Sequence, residues 1–113
     1  MRRLAAIRRL SLSSPLLRVG KIVLDLSAYH VTVDGKTVTL AWTEFQLLRF
    51  LMQNPGRVFS RDHLLATVWG TQNNVGTRTV DVNIHRLRHK LGTAGESFIR
   101  TVKKAGYGLV ESI

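Results

Sequence analysis

The stretch TRTVDVNIHRLRHKL, which runs from Thr77 to Leu91, decides how the rest of the chain is arranged. Its apolar residues recur at intervals of four, three and four positions, which places them on one narrow side of a helix. We expect this side to be buried; it consists of Val80, Ile84, Leu87 and Leu91. The opposite side carries Arg78, Val82, His85, Arg86 and His89. Because Asp81 is the only acidic residue of the stretch, the exposed side is cationic and indicates a negatively charged partner.

The whole chain shares this excess of positive charge. Its 113 residues include 17 Lys and Arg against 7 Asp and Glu, which gives a formal net charge of +10. Such a balance favours a polyanion, most commonly nucleic acid. An acidic membrane is the rival partner, but no apolar run approaches the ~18 residues of a spanning helix. The absence of cysteine agrees with a reducing compartment, so we expect a cytoplasmic protein with no membrane partner.

The hydrophobic content of 44% is enough for the core of one domain of ordinary size. We place that domain at residues 16–113. The preceding residues 1–15, MRRLAAIRRLSLSSP, repeat Leu4, Ile7 and Leu10 at helical spacing before a Ser-Ser-Pro sequence. We interpret them as the end of a preceding domain followed by a linker.

From Leu16 to Leu40 the sequence alternates in short β-prone runs, LLRV, KIVLDL, YHVTV and TVTL. Asp34 and Gly35 separate the last two runs, and an Asp-Gly pair is a strong signal for a two-residue hairpin turn. We expect an antiparallel sheet of three or four strands that serves as a platform for the helices.

A first helix is predicted to begin at Thr43, in the run TEFQLLRFLMQN. Thr43 and Gln46 have the spacing of a capping box, and Trp42 and Leu47 that of a hydrophobic staple. Pro55 ends the helix because proline cannot continue the backbone hydrogen bonds.

A second helix is predicted in RDHLLATVW, with Ser60 as its amino-terminal cap and Gly70 as its stop. A polar loop then leads into the helix at 77–91, which ends at Gly92. Two helices joined in this way, the second of them basic, resemble a helix-turn-helix with a lengthened turn.

After a loop GTAGES, the runs FIRTV and YGLV predict a hairpin at 98–110. Lys103 and Lys104 lie at its turn. A basic hairpin after a basic helix is the order of a winged helix, with the helix in the major groove and the hairpin against the DNA backbone or minor groove. The sequence therefore predicts an α+β fold of the winged helix-turn-helix type, with an amino-terminal sheet of about four strands, three helices and a carboxy-terminal hairpin wing.

Three runs carry a specific likeness to a known family: LAWTEFQLLRFLMQNPGRVFSRDHLLATVWG, TRTVDVNIHRLRHKLG and IRTVKKAGYGL. In order and spacing they resemble the effector domain of the OmpR/PhoB family of bacterial two-component response regulators. The resemblance implies transcription regulation through promoter DNA, with copies of the domain bound to direct-repeat half-sites. It also implies an upstream phosphoacceptor receiver domain and a histidine kinase. We expect the isolated domain to be a monomer without a cofactor.

The resemblance also implies which residues contact DNA. In the third helix these are Arg78, Asn83, His85, Arg86 and Arg88; Arg61 and Trp69 would contact the DNA backbone, and Thr101, Lys103 and Lys104 would lie on the wing. Arg86 is the best candidate for a base edge, because a guanidinium can donate two hydrogen bonds to guanine. Val82 can pack on a thymine methyl group. The family often has arginine where this chain has His85, Lys103 and Gly108.

In activators of the family, the loop between the second and third helices touches RNA polymerase. The corresponding residues here carry no charge: Thr71, Gln72, Asn73, Asn74, Val75 and Gly76.

The sequence offers little support for functions other than DNA recognition. His85 and His89 have the spacing of zinc ligands on a helix, but no cysteine or nearby carboxylate completes a coordination sphere. No constellation of catalytic residues is apparent, so neither a metal site nor an enzyme is expected. The remaining alternative is a non-specific architectural module for nucleic acid, or a protein-interaction module, whose basic side does not read sequence.

Overall fold

The computed structural model describes residues 15–71 and 74–109. Apart from Pro15, the predicted linker at 1–15 therefore lies outside the described residues, as does Val110 at the end of the predicted hairpin. The elements of the described part are, in chain order, β1 (Leu16–Val19), β2 (Ile22–Asp25), β3 (His30–Val33), β4 (Lys36–Val38), α1 (Trp42–Gln53), β5 (Val58–Phe59), α2 (Arg61–Trp69), α3 (Arg78–Leu91), α4 (Thr93–Phe98), β6 (Ile99–Val102) and β7 (Gly106–Leu109).

The first four strands form the predicted antiparallel sheet, in the order β1-β2-β3-β4. Asp34 and Gly35 turn the chain between β3 and β4 with positive φ angles of 53° and 82°. Both central residues of a type I′ turn need such angles, which confirms the hairpin predicted from the Asp-Gly pair.

Helix α1 begins one residue earlier than predicted, and its cap is different. The N-cap is Ala41, whose backbone N–H donates to Oε1 of Glu44 at 2.9 Å. The predicted capping box of Thr43 and Gln46 is therefore wrong. Thr43 donates its hydroxyl hydrogen bond to Asn83 of α3 instead, at 3.1 Å. A residue distant in sequence therefore accepts the hydrogen bond of the hydroxyl that the capping-box pattern assigned to the helix end.

The predicted staple between Trp42 and Leu47 is also wrong. Trp42 is 62% exposed, and its ring packs against that of Tyr29 with 5.4 Å between the centroids. The predicted boundaries of α2 are confirmed. The Ser60 hydroxyl accepts a hydrogen bond from the backbone N–H of His63 at 3.1 Å, and the helix ends before Gly70.

Two short elements, helix α4 and strand β5, were not predicted. The GTAGES segment, expected to be a loop, contributes to helix α4, so the described residues contain four helices instead of three. Strand β5 pairs with β7, which makes the hairpin part of a three-stranded sheet in the order β5-β7-β6. A Cβ atom on Gly106 would lie 1.9 Å from the carbonyl oxygen of Phe59. Glycine is therefore required where β7 passes this closely.

The core lies between the helices and both sheets, and α3 crosses it. All four predicted apolar residues of α3 are buried: Val80, Ile84, Leu87 and Leu91. They belong to one cluster with Leu47, Leu48 and Leu51 of α1, Leu64 of α2 and Leu109 of β7. Burying each such side chain contributes about 1.5–3 kcal/mol. This packing fixes α3 with its opposite side exposed and completes the predicted winged helix-turn-helix. None of the helices in the described ranges is both long enough and apolar enough to cross a membrane.

Candidate nucleic-acid interface

The exposed side of α3 is the side that the helical spacing predicted. Its members are Arg78, Val82, His85, Arg86 and His89, and all five are exposed. Val82 is the apolar member, with 38% of its surface accessible. The arrangement offers hydrogen-bond donors and positive charge around one apolar contact, which is a combination suited to the edges of base pairs.

Asn83 does not belong to this side. Only 6% of its surface is exposed, and its amide is used inside the protein. Nδ2 donates to the backbone carbonyl of Thr79 at 2.9 Å, and Oδ1 accepts from the hydroxyl of Thr43. The family resemblance implied that Asn83 contacts DNA, but the structure buries this side chain and bonds it internally. The buried stripe of α3 is wider than its four apolar residues, and Asn83 lies within it one turn from Val80.

Arg88 points toward the hairpin. Its Nε and Nη2 both donate to the backbone carbonyl of Ile99, at 3.2 and 2.9 Å, and Nη2 also donates to the hydroxyl of Thr101 at 2.7 Å. Its guanidinium carbon lies 6.0 Å from the centroid of the Tyr107 ring. The guanidinium is thus engaged by β6 and β7, and only part of it faces solvent.

Asp81, the lone acid of α3, is held by two neighbours. Nε of Arg61 lies 2.8 Å from its Oδ1, and the hydroxyl of Tyr107 donates to the same oxygen at 2.5 Å. Burial raises the pKa of Tyr107, and the hydrogen bond to Asp81 raises that pKa further. The hydrogen bond to Asp81 likewise raises the pKa of Arg61. This cluster joins the start of α2, the recognition-type helix α3 and the hairpin.

Sequence reasoning missed the roles of Asp81 and Tyr107. The only signal was that a single acid interrupts an otherwise cationic helix. Its partners are 20 and 26 residues away in sequence, so no local pattern could identify them.

Lys90 also has an internal partner. Its Nζ lies 2.7 Å from Oε1 of Glu44, whose side chain is 2% exposed. The ion pair ties α1 to α3 and removes Lys90 from the positive charge that the helix offers to a ligand. A buried carboxylate requires such a partner.

The turn of the hairpin presents both predicted lysines. Lys103 and Lys104 are exposed, and Lys104 has a positive φ of 68°. A hydrogen bond from the N–H of Ala105 to the carbonyl of Val102, at 2.9 Å, closes the turn. The turn and the start of α2 enclose a cleft lined by Ser60, Arg61, Asp62, Thr77, Thr101, Val102, Lys103, Lys104, Ala105, Gly106 and Tyr107. The hairpin itself spans Ile99–Val102 and Gly106–Leu109, because Phe98, predicted to open it, belongs to α4.

Trp69 and the described residues of the loop before α3 do not line this cleft. Trp69, at the end of α2, is half-buried and packs against the core. In the loop before α3, Thr71, Asn74, Val75 and Gly76 are exposed. Gln72 and Asn73 lie outside the described residues. Across residues 15–71 and 74–109, no group of three or more His, Asp or Glu side chains could hold a metal ion.

The chain is similar to known proteins in both sequence and structure. A family model described as "Transcriptional regulatory protein, C terminal" matches residues 35–109. The chain is 50% identical over 97 residues to the phosphate regulon transcriptional regulatory protein PhoB of Rhizobium meliloti, a match that covers 85% of this chain and 43% of that protein. The chain thus spans less than half the length of this relative.

Two solved structures show the same fold. The DNA-binding domain of CpxR from E. coli is 35% identical, with a TM-score of 0.76 over 88% of this chain and 100% of that one. The Klebsiella pneumoniae RstA DNA-binding domain, solved in complex with the RstA box, is 33% identical. Its TM-score is 0.75 over 85% of this chain and 97% of that one.

Proposed function

Because the chain belongs to the OmpR/PhoB family of bacterial transcriptional response regulators, we propose that it binds double-stranded promoter DNA sequence-specifically. Helix α3 enters the major groove, and the β6–β7 hairpin acts as the wing. The domain at residues 16–113 is the effector part of the regulator, and residues 1–15 link it to an upstream domain.

The observation that carries this proposal is the composition of the exposed side of α3. Arg86 and Val82 lie together on it, one turn apart. The major groove is ~12 Å wide and admits a helix. Arg86 can donate two hydrogen bonds to O6 and N7 of guanine, and Val82 can pack on a thymine methyl group. Asp81, the acid that would repel DNA from this helix, is neutralised by Arg61.

Contacts to phosphates would fix the register of the helix in the groove. Arg78 and His85 flank the base-reading pair on α3, and both are exposed. On the wing, Lys103 and Lys104 supply the positive charge for phosphate contacts. The proposed interface contains Arg61, Trp69, Arg78, Val82, His85, Arg86, Thr101, Lys103 and Lys104. It omits Asn83 and Arg88, because both side chains form hydrogen bonds within the protein.

The proposal extends to the assembly. In the cytoplasm of a bacterium, two copies would bind direct-repeat half-sites, and phosphorylation of an upstream receiver domain by a histidine kinase would control their pairing. The isolated domain would be a monomer that binds weakly. The loop at 71–76 is the candidate surface for RNA polymerase, although it lacks charge. Sedimentation of the isolated domain without DNA tests whether the domain is a monomer. A tight dimer would contradict this part of the proposal.

The proposal is tested with a duplex recovered by selection from random sequences. Fluorescence anisotropy would compare the selected and a scrambled duplex for the wild-type domain, Arg86→Ala and Arg18→Ala. Loss of a bidentate base contact costs about 1–3 kcal/mol, so Arg86→Ala should lower the preference for the selected duplex roughly 5- to 150-fold. Arg18 is exposed on β1, a strand that contributes no residue to the proposed interface, and its removal should leave the preference unchanged.

Equal binding of the wild-type domain to both duplexes would contradict sequence-specific recognition. That result would favour a non-specific architectural module, whose affinity depends on salt but not on base sequence.

A further inference from the structure

The Arg88 side chain is directed toward the hairpin. Three hydrogen bonds, to Ile99 and Thr101, point it at the first strand of the wing. Ile99 is only 2% exposed, so these bonds hold β6 where the strand leaves the core. Arg88 therefore anchors the start of the wing to α3.

These contacts use much of what the guanidinium can donate. It carries five N–H groups in a rigid fork. Nε–H and both hydrogens of Nη2 account for the three bonds to β6. Strand β6 therefore occupies the complete edge of the fork that Nε and Nη2 form. A phosphate or a base edge would compete with the wing for that edge.

A second link holds the other strand of the wing. Tyr107 of β7 donates to Asp81, which lies two turns before Arg88 on α3. The hairpin is therefore tied to α3 through both of its strands, by Arg88 to β6 and by Asp81 to β7. Two links at separate points restrain rotation of the hairpin about either one.

We propose that Arg88 is a positioning residue, which holds the wing against α3 so that Lys103 and Lys104 reach DNA together with Arg86. This inference rests on the proposed DNA-binding function and refines it. The wing is ordered before DNA arrives, so binding does not include the entropic cost of fixing it. The opposing interpretation, implied by the family resemblance, is that Arg88 binds a phosphate directly.

A lysine at position 88 separates the two interpretations. Lysine keeps the charge but cannot reproduce the fork. If Arg88 positions the wing, Arg88→Lys and Arg88→Gln should weaken binding to the selected duplex alike, by about tenfold. If Arg88 binds a phosphate, Arg88→Lys should keep most of the affinity, and this would overturn the proposal. Thermal unfolding of both variants would verify that they fold.

A second arm removes the charge of the wing. In a Lys103→Ala/Lys104→Ala background, Arg88→Gln should change affinity less than about twofold, because there is no wing contact left to position. Arg78→Gln is the matched control, and it should lower affinity equally in both backgrounds. Equal losses for Arg88→Gln in the two backgrounds would count against positioning.

A third arm needs no DNA. Amide hydrogen exchange of the hairpin, including the N–H of Ala105 that closes its turn, should be faster in Arg88→Gln than in Arg78→Gln or the wild-type domain. Unchanged exchange would overturn the proposal. If the wild-type domain showed no preference for any duplex, the proposed function would fail, and this arm would still decide whether Arg88 holds the wing.

Discussion

Replacing Tyr107 with Phe removes one hydroxyl and leaves a ring that is 6% exposed in place. The hydroxyl donates a 2.5 Å hydrogen bond to Asp81. Hydrogen bonds to charged groups contribute about 1.5–3 kcal/mol. The Asp81 side chain is 35% exposed, so water replaces part of the lost interaction. We therefore expect the free energy of unfolding to fall by about 1.5 kcal/mol, at the lower end of that range.

Thermal unfolding followed by circular dichroism measures this loss. For a domain of this size, the expected decrease in Tm is about 6–12 °C. Tyr29→Phe is the matched control, because it removes the same group from a ring that is 53% exposed. It should change the free energy of unfolding by less than ~0.5 kcal/mol. Equal melting temperatures for the two variants would refute the reasoning, since the bond to Asp81 would then contribute nothing.

Three further predictions concern pH, the buried ion pair and salt. Burial and then the bond to Asp81 raise the pKa of Tyr107, so the folded state holds this proton more tightly. The contribution of this hydroxyl to stability is complete below the ordinary tyrosine pKa of about 10 and is lost as the pH rises above that value. The difference in Tm between wild type and Tyr107→Phe should therefore shrink at high pH. A constant difference would contradict this prediction. Lys90→Met should lower the free energy of urea unfolding by about 2 kcal/mol, because the buried Glu44 carboxylate loses a partly solvated partner; an unchanged midpoint would show that the pair is dispensable. Lys103→Ala/Lys104→Ala should reduce the slope of log K against log salt by about 1.8 for every duplex, and an unaltered slope would remove both lysines from the interface.

Helix α3 could be predicted almost completely from sequence. Its boundaries, its buried stripe and its exposed basic side follow from an apolar pattern that repeats over four turns. Apolar residues such as Val80 and Leu87 determine which side of the helix is buried. The turn at Asp34 and Gly35 was predictable for a different reason. Few residue pairs accept two successive positive φ angles, so this pair specifies the turn locally.

The misplaced details depend on partners far away in sequence. Thr43 bonds to Asn83, which is 40 residues away, and Glu44 to Lys90, which is 46 residues away. The first pair changed two predictions, since Thr43 does not cap its helix and the amide of Asn83 is buried. The direction of Arg88 likewise depends on strand β6 and not on its neighbours in the helix.

Strand β5 and helix α4 were missed because they are too short to show a periodic sequence pattern. Strand β5 has two residues, and its pairing is set by the close approach of Gly108 and Tyr107 on β7. Helix α4 has six residues, one of which is Gly95, and Gly92 precedes it as the N-cap. Glycines are unfavourable inside helices, so neither residue favours a helix here. Periodicity cannot be recognised over such lengths.

The most direct test of sequence-specific recognition is the ratio of two dissociation constants, measured for the wild-type domain at physiological salt. One belongs to a scrambled duplex and the other to the duplex selected from random sequences. A regulator that reads bases through Arg86 and Val82 should give a ratio of about 10³ or more. A ratio near one would contradict the account and reduce the basic side of α3 to a non-specific contact.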